Sequence, residues 1–282
     1  MSRERVKLFC VIGDPVYHSL SPIMHNSAFR KLRLNCLYFP FRVREGEIAE
    51  FFEFFRDMDM KGANVTIPHK ETVLEFLDEL DEPARKIGAV NTIVKRQGKL
   101  VGYNTDCYGA LKAVGKGRIA GKNIVVFGAG GAARAIAFAF ATLAKKIILF
   151  NRTGQRARKI ADDLEYRNIE GFGMEDMDLV YKTAREADVI INATSVGMNA
   201  QDSIVPTNIL RRGMVVFDAV YTPLETKLIR EAKKAGCDVV TGDRMLLHQG
   251  AEAFRLFTGK KPPIETMRKR LLEALGVDMH GR

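Results

Sequence analysis

The chain has 282 residues, of which 46% are hydrophobic and 28% charged, enough for two hydrophobic cores and without the bias of a disordered or fibrous chain. The net charge of +10 invites a nucleic-acid reading, but Lys and Arg are spread in short groups such as "MRKRL", with acids interleaved and no recognition motif, so small anionic ligands are preferred. Cys10, Cys36, Cys107 and Cys237 stand far apart with no C-x-x-C pair, which suggests neither a disulfide framework nor a zinc site.

The first residues carry no long apolar run with a small-residue cleavage site, and no later stretch reaches membrane-span length; a cytoplasmic protein is the expectation. Short β-branched runs alternating with amphipathic stretches predict an α/β fold with largely parallel sheets. The first strand is expected at 6–12. "SLSPIMHNSAFRKL" then opens a helix, with Ser21 as N-cap and Pro22 at the first helical position. A strand at 36–43 precedes "EGEIAEFFEFFRDM", whose aromatics recur at helical spacing and read as core contacts.

Further strands are expected at 63–67 and 89–94, then the Gly- and Lys-rich 115–123 breaks the chain before a second strand-led unit. That unit has strands at 123–127, 146–150, 189–193, 215–219 and 238–241, and the chain closes on helices in "MLLHQGAEAFRLFTG" and "IETMRKRLLEAL". No internal repeat is evident.

Between the 123–127 strand and an alanine-rich helix lies "GAGGAARA". Gly128, Gly130 and Ala133 fit G-x-G-x-x-G/A: a tight turn, a backbone that can approach a pyrophosphate, and a small residue for helix–strand packing. Gly131, Ala132 and Arg134 complete the candidate cofactor loop. An NAD site commonly carries an acid about 20 residues on. Here the next strand ends in Asn151, Arg152 and Thr153. Arg152 and Arg156 can hold a 2′-phosphate through charge-assisted hydrogen bonds, which favours NADP over NAD; Arg158 fits a solvated helix face equally well.

Taken together, "GDPVYHSLSPIMHN", "GANVTIPHK", "GAVNTIV", "GYNTDCYG", "GAGGAARA", "NRT", "INATSVGM", "FDAVYTPLETKL" and "GDRMLLHQGAEAF" resemble the shikimate dehydrogenase family over nearly the whole length. The resemblance implies an N-terminal α/β substrate domain, 1–105 with 243–282, and a Rossmann-type NADP-binding domain, 106–242. It implies reversible reduction of 3-dehydroshikimate by NADPH on the path to chorismate and the aromatic amino acids.

The family's catalytic lysine falls on Lys70 and its second catalytic position on Asp106, for which capping a helix beginning near Cys107 is the plainer alternative. Ser19 and Ser21 match carboxylate-binding positions, Ser21 having the N-cap as its structural alternative, and Tyr221 matches a position near the carboxylate. Thr66, Asn91, Asp106 and Gln249 match positions that hold ring hydroxyls. Thr194, Ser195, Val196 and Met198 would face the dinucleotide, with Val220, Gly242 and Met245 near the nicotinamide. Phe257 stands where the family commonly has tryptophan and reads as a packing substitution. His18, His25, His69 and His248 flank these motifs without a standard ligand spacing, and no metal is expected.

The rival readings are a quinate or dual quinate/shikimate enzyme using NAD, and a non-catalytic NADP-binding regulator. No membrane or nucleic-acid partner is expected, and a homodimer is left open.

Overall fold

The computed structural model describes residues 5–198 and 202–277, and the chain divides into two compact units, Met1–Thr105 with Gln249–Arg282, and Asp106–His248. The second crossing falls inside a helix, between His248 and Gln249, where 243 was expected.

The first unit runs β1 (Lys7–Gly13), α1 (Ser21–Lys31), β2 (Cys36–Arg42), α2 (Ile48–Asp57), β3 (Gly62–Val65), β4 (Glu79–Leu80), α3 (Glu82–Ile87), β5 (Thr92–Arg96) and β6 (Lys99–Tyr103). Its six strands lie in the order β2-β1-β3-β5-β6-β4. β1 pairs parallel with β2 and β3, but β5 is antiparallel to both β3 and β6, so this sheet is mixed, against the expectation of largely parallel sheets. The cause is a hairpin: Gln97 and Gly98 both have positive φ, 50° and 83°, the geometry of a tight two-residue turn. β2 tolerates Pro40 because it is the edge strand and needs no donor on its free side.

Helix α2 buries Ile48, Phe51, Phe52 and Phe55 against the core formed by Cys10, Ile12, Ala63, Val65 and Ile93. The "EFFEFF" spacing of aromatics is what turns one face of this helix inward.

The second unit runs α4 (Thr105–Val114), β7 (Asn123–Phe127), α5 (Gly131–Ala141), β8 (Lys146–Asn151), α6 (Gly154–Leu164), β9 (Ile169–Gly173), α7 (Met177–Glu186), β10 (Val189–Asn192), β11 (Val215–Asp218), α8 (Lys227–Lys234) and β12 (Asp238–Val240). Its sheet is wholly parallel, in the order β12-β11-β10-β7-β8-β9. This is the doubly wound dinucleotide-binding order, with the reversal of winding between β7 and β10. The near-continuous apolar strands "IVVF" and "VIIN" suit a sheet covered on both faces.

Two final helices follow, α9 (Gly242–Thr258) and α10 (Ile264–Ala274), the latter packing on α1 in the first unit. Strands β4, β6 and β9 have no counterpart among the expected elements: β4 has two residues, while β6 "KLVGY" and β9 "IEGFG" carry glycine inside short runs that lack β-branched density. The expected 89–94 strand begins only at Thr92, because Asn91 is drawn into a buried hydrogen-bond cluster. No helix among the described residues is long and apolar enough to cross a membrane.

Candidate active site

In the first unit, the turn that carries Lys70 is fixed from several sides. Strand β3 ends at Val65, after which the Thr66 N–H donates to Ile12 O at 2.9 Å and the His69 N–H to Thr66 O at 3.0 Å. His69 is 1% exposed, and its Nε2 lies 2.6 Å from the carbonyl oxygen of Val43; a carbonyl only accepts, so Nε2 carries the proton. Lys70 itself is half-buried, and its carbonyl accepts the Val90 N–H at 2.8 Å, which ties the lysine's backbone to the segment bearing Asn91. Gly13 is needed beneath this turn, since a Cβ there would lie 2.4 Å from Thr66 Cγ2.

Asn91 is the hub of the polar cluster. Its Oδ1 accepts the Thr105 N–H at 2.7 Å, while its Nδ2 donates to Thr105 Oγ1 at 3.0 Å and to Gln249 Oε1 at 3.4 Å. Asn64 donates to Asn91 O at 3.1 Å and Thr92 Oγ1 at 2.9 Å, and accepts from the Tyr38 hydroxyl at 2.7 Å. A connected set of hydrogen bonds therefore links Tyr38, Asn64, Asn91 and Gln249. Asn64, Tyr38, Thr92 and Thr105 are the members that sequence reasoning missed. The available signal was Asn64, a polar residue inside a fully buried strand, where an unpaired amide would be costly.

Helix α1 corrects one expectation. Its N-cap position is Leu20, and Ser21 is already helical; the side chain that serves the helix start is Ser19, whose Oγ accepts the Ser21 N–H at 3.3 Å. Pro22 sits at the second helical position, where its missing N–H costs nothing. Phe257, read as a packing residue, lies 4.9 Å from the Phe9 ring centroid and 5.7 Å from that of His25.

In the second unit, Asp106 is 5% exposed in the first turn of α4, which starts at Thr105. It is inside the helix rather than capping one that begins near Cys107, and a first-turn carboxylate faces the positive end of the helix dipole.

The glycine loop follows β7 at the point where the sheet reverses its winding. Gly128 has φ of 119°, and a Cβ there would approach Ala193 O to 2.8 Å. Gly130 has open space where a side chain would be, and no side chain caps the start of α5. Gly131 and Ala132 begin the helix, and Ala133 is fully buried against the sheet. The loop has the backbone geometry that a pyrophosphate requires. Arg134 is engaged elsewhere: it is 5% exposed and its guanidinium pairs with Asp163 of α6.

At the tip of β8, Asn151 Nδ2 donates to Thr153 O at 3.1 Å, and Arg152, Thr153 and Arg156 are exposed, with no ion pair to either arginine among the described residues. Among the described residues no carboxylate forms an ion pair with Arg152 or Arg156, although the Glu175 carboxylate lies against Gly173 beside this tip.

Thr194, Ser195, Val196 and Met198 form the loop after β10, and Val220 and Tyr221 the turn after β11. Burial pushes the Tyr221 hydroxyl above its ordinary pKa, keeping it a neutral donor. Gly242 is required where α9 meets this turn, because a Cβ would lie 2.4 Å from Ala219 O; Met245 is buried one turn further on. Burial, with Lys112 and Arg244 nearby, lowers the pKa of His248.

Three family models match the chain: a shikimate dehydrogenase substrate binding domain over residues 11–93, a shikimate/quinate 5-dehydrogenase over 110–218, and a shikimate 5′-dehydrogenase C-terminal domain over 244–272. A curated NADP(+) shikimate dehydrogenase of Pyrococcus furiosus is 45% identical over 270 residues, 95% of this chain and 96% of the relative. A solved shikimate dehydrogenase in complex with NADP+ superposes with a TM-score of 0.87 at 41% identity, over 98% of each chain. The Thermus thermophilus enzyme, solved with NADP(H) and shikimate, gives a TM-score of 0.84 at 38% identity, over 95% of this chain and 99% of that one. The chain belongs to the shikimate dehydrogenase family.

Proposed function

We propose that this protein is an NADP-dependent shikimate dehydrogenase that reversibly reduces 3-dehydroshikimate to shikimate. The observation that carries the reading is the family match over 95% of the chain at 45% identity, and the motifs around Lys70, Asp106 and the glycine loop support it by their resemblance. The tip of β8, where Arg152 and Arg156 are exposed and form no ion pair among the described residues, supports the 2′-phosphorylated cofactor.

NADPH supplies the hydride when bound, and everything else falls to side chains of this chain. Hydride addition to the C3 carbonyl carbon sends the π electrons to oxygen, and that oxyanion takes a proton to become the hydroxyl of shikimate. Lys70 and Asp106 act as the pair that holds this oxygen and supplies the proton; in the reverse direction they receive it. The Asn91–Gln249 pair takes the ring hydroxyls, and Ser19 and Ser21 take the carboxylate beside the start of α1. Val220, Gly242 and Met245 line the nicotinamide side.

The test is NADP reduction followed by absorbance with shikimate, run beside quinate and beside NAD. The expected result is preference for shikimate with NADP, and a preference for quinate with NAD would sink the reading. Loss of turnover in Lys70→Ala separates an enzyme from a non-catalytic NADP-binding regulator.

A further inference from the structure

Asp218 is fully buried and has no part in the chemistry above. It ends β11, directly opposite Asn192 at the end of β10, so the two side chains stand side by side at the carboxyl edge of the parallel sheet. This is the edge at which open α/β sheets bind ligands.

Each polar atom of the pair is committed. Asn192 Nδ2 donates to Asp218 Oδ1 and to Val196 O, both at 2.9 Å. Asn192 Oδ1 accepts the Thr194 N–H at 3.0 Å and the Thr194 hydroxyl at 2.6 Å. The Val196 N–H then returns to Thr194 Oγ1 at 3.1 Å. On the other side, Asp218 Oδ1 accepts the Val220 N–H at 3.0 Å and Oδ2 accepts the Thr226 hydroxyl at 2.6 Å. The amide orientation of Asn192 is fixed by chemistry, since Oδ1 faces an N–H that can only donate, and Nδ2 faces a carbonyl and a carboxylate that only accept.

We propose that Asp218, acting through Asn192, is a positioning residue that locks the loop at 194–198 and the turn at 220–221 into one geometry and so sets where the nicotinamide half of the cofactor lies. The reasoning is mechanical. Loops after parallel strands have no ladder to hold them, and here one buried carboxylate and one buried amide bind both loops, with the bonds to the 194–198 loop part-buried. The adenosine half has separate supports, the glycine loop after β7 and the arginines after β8, and neither hydrogen-bonds to the side chains of this pair among the described residues. Asp218 therefore governs the reacting end without governing overall cofactor affinity. The inference rests on the functional reading above.

Its test compares Asp218→Ala with wild type in two measurements: shikimate-dependent NADP reduction, and binding of adenosine 2′,5′-bisphosphate, which carries only the adenosine half. The expected result is a roughly 10- to 100-fold fall in kcat, the scale on which small misplacement of reacting groups acts, with bisphosphate affinity held within about twofold. Asp218→Asn keeps Oδ1 as the acceptor for Asn192 and Val220 and turns its amide toward Thr226 Oγ1, so it recovers most of kcat.

Where Asp218→Ala fails to fold, Thr194→Val, which removes the hydroxyl bonds to Asn192 Oδ1 and from the Val196 N–H while keeping the Thr194 N–H and Val196 carbonyl bonds to Asn192, gives a smaller fall in kcat with the same unchanged bisphosphate affinity. Wild-type kcat in a folded Asp218→Ala or Thr194→Val, a parallel loss of bisphosphate binding, or equal loss in Asp218→Asn and Asp218→Ala overturns the inference. Absence of shikimate turnover in the wild type overturns the functional reading instead.

Discussion

Asn91 donates from Nδ2 to Gln249 Oε1 across 3.4 Å, joining two buried side chains 158 positions apart in sequence. Asn91 is not left with a free choice of rotamer, because it also holds the Thr105 N–H and hydroxyl. On the proposed function the pair meets the hydroxylated ring, and a substrate lacking a hydroxyl would leave one of these groups unpaired.

On the proposed function, replacing Gln249 by Ala removes a ring-hydroxyl partner and one of the two acceptors of Asn91 Nδ2, which keeps its bond to Thr105 Oγ1. A loss of about 1–3 kcal/mol is expected, which is roughly 5- to 150-fold in kcat/KM for shikimate. Steady-state kinetics at saturating NADP would show it, and an unchanged kcat/KM would remove Gln249 from the substrate site.

On the proposed function, Lys70→Ala takes away the cation that meets the developing oxyanion. The expected fall in kcat is roughly 10²- to 10⁴-fold, with NADP affinity unchanged because the cofactor loop lies in the other unit. Single-turnover absorbance and a direct binding titration separate the two effects.

On the proposed function, Arg152→Ala removes one charge-assisted contact to the 2′-phosphate. The KM for NADP is expected to rise by about 1.5–3 kcal/mol, roughly 10- to 150-fold, while activity with NAD stays the same. An equal loss with both cofactors would place Arg152 away from the 2′-phosphate.

His25 carries a pH dependence of stability. Burial pulls its pKa down to about 3, its two ring nitrogens have no hydrogen-bond partner, and its ring stacks on Tyr38 at 4.4 Å. Between that value and the ordinary 6.5, the unfolded chain binds a proton at this position that the folded chain refuses. Its contribution to stability is therefore full above the ordinary value and declines as pH falls, by up to about 1.4 kcal/mol per pH unit. Urea midpoints of wild type and His25→Gln between neutral and mildly acidic pH should converge as pH drops; parallel curves would refute this assignment.

Much of the second unit was legible because its strands are short, continuous apolar runs separated by a glycine loop whose steric demands are local. Gly128 needs its positive φ whatever surrounds it. The first unit was less legible. Strand β6 hides behind a Gln97–Gly98 turn and holds a glycine, and β5 begins late because Asn91 serves the polar cluster. Periodicity sees neither event, since both are decided by partners distant in sequence.

The sequence by itself determined the family, the two-unit division in outline and the glycine turn after β7, because each rests on residue type at fixed local spacing. Tertiary structure alone decided that Ser19 rather than Ser21 serves the start of α1, that His69 anchors the lysine's turn on Val43, and that Asn64 connects Tyr38 to Asn91. It also decided that Asp218 and Asn192 meet. Hydrogen bonds between buried side chains depend on which strands become neighbours, and in the parallel sheet the β10–β11 register sets those two ends opposite each other.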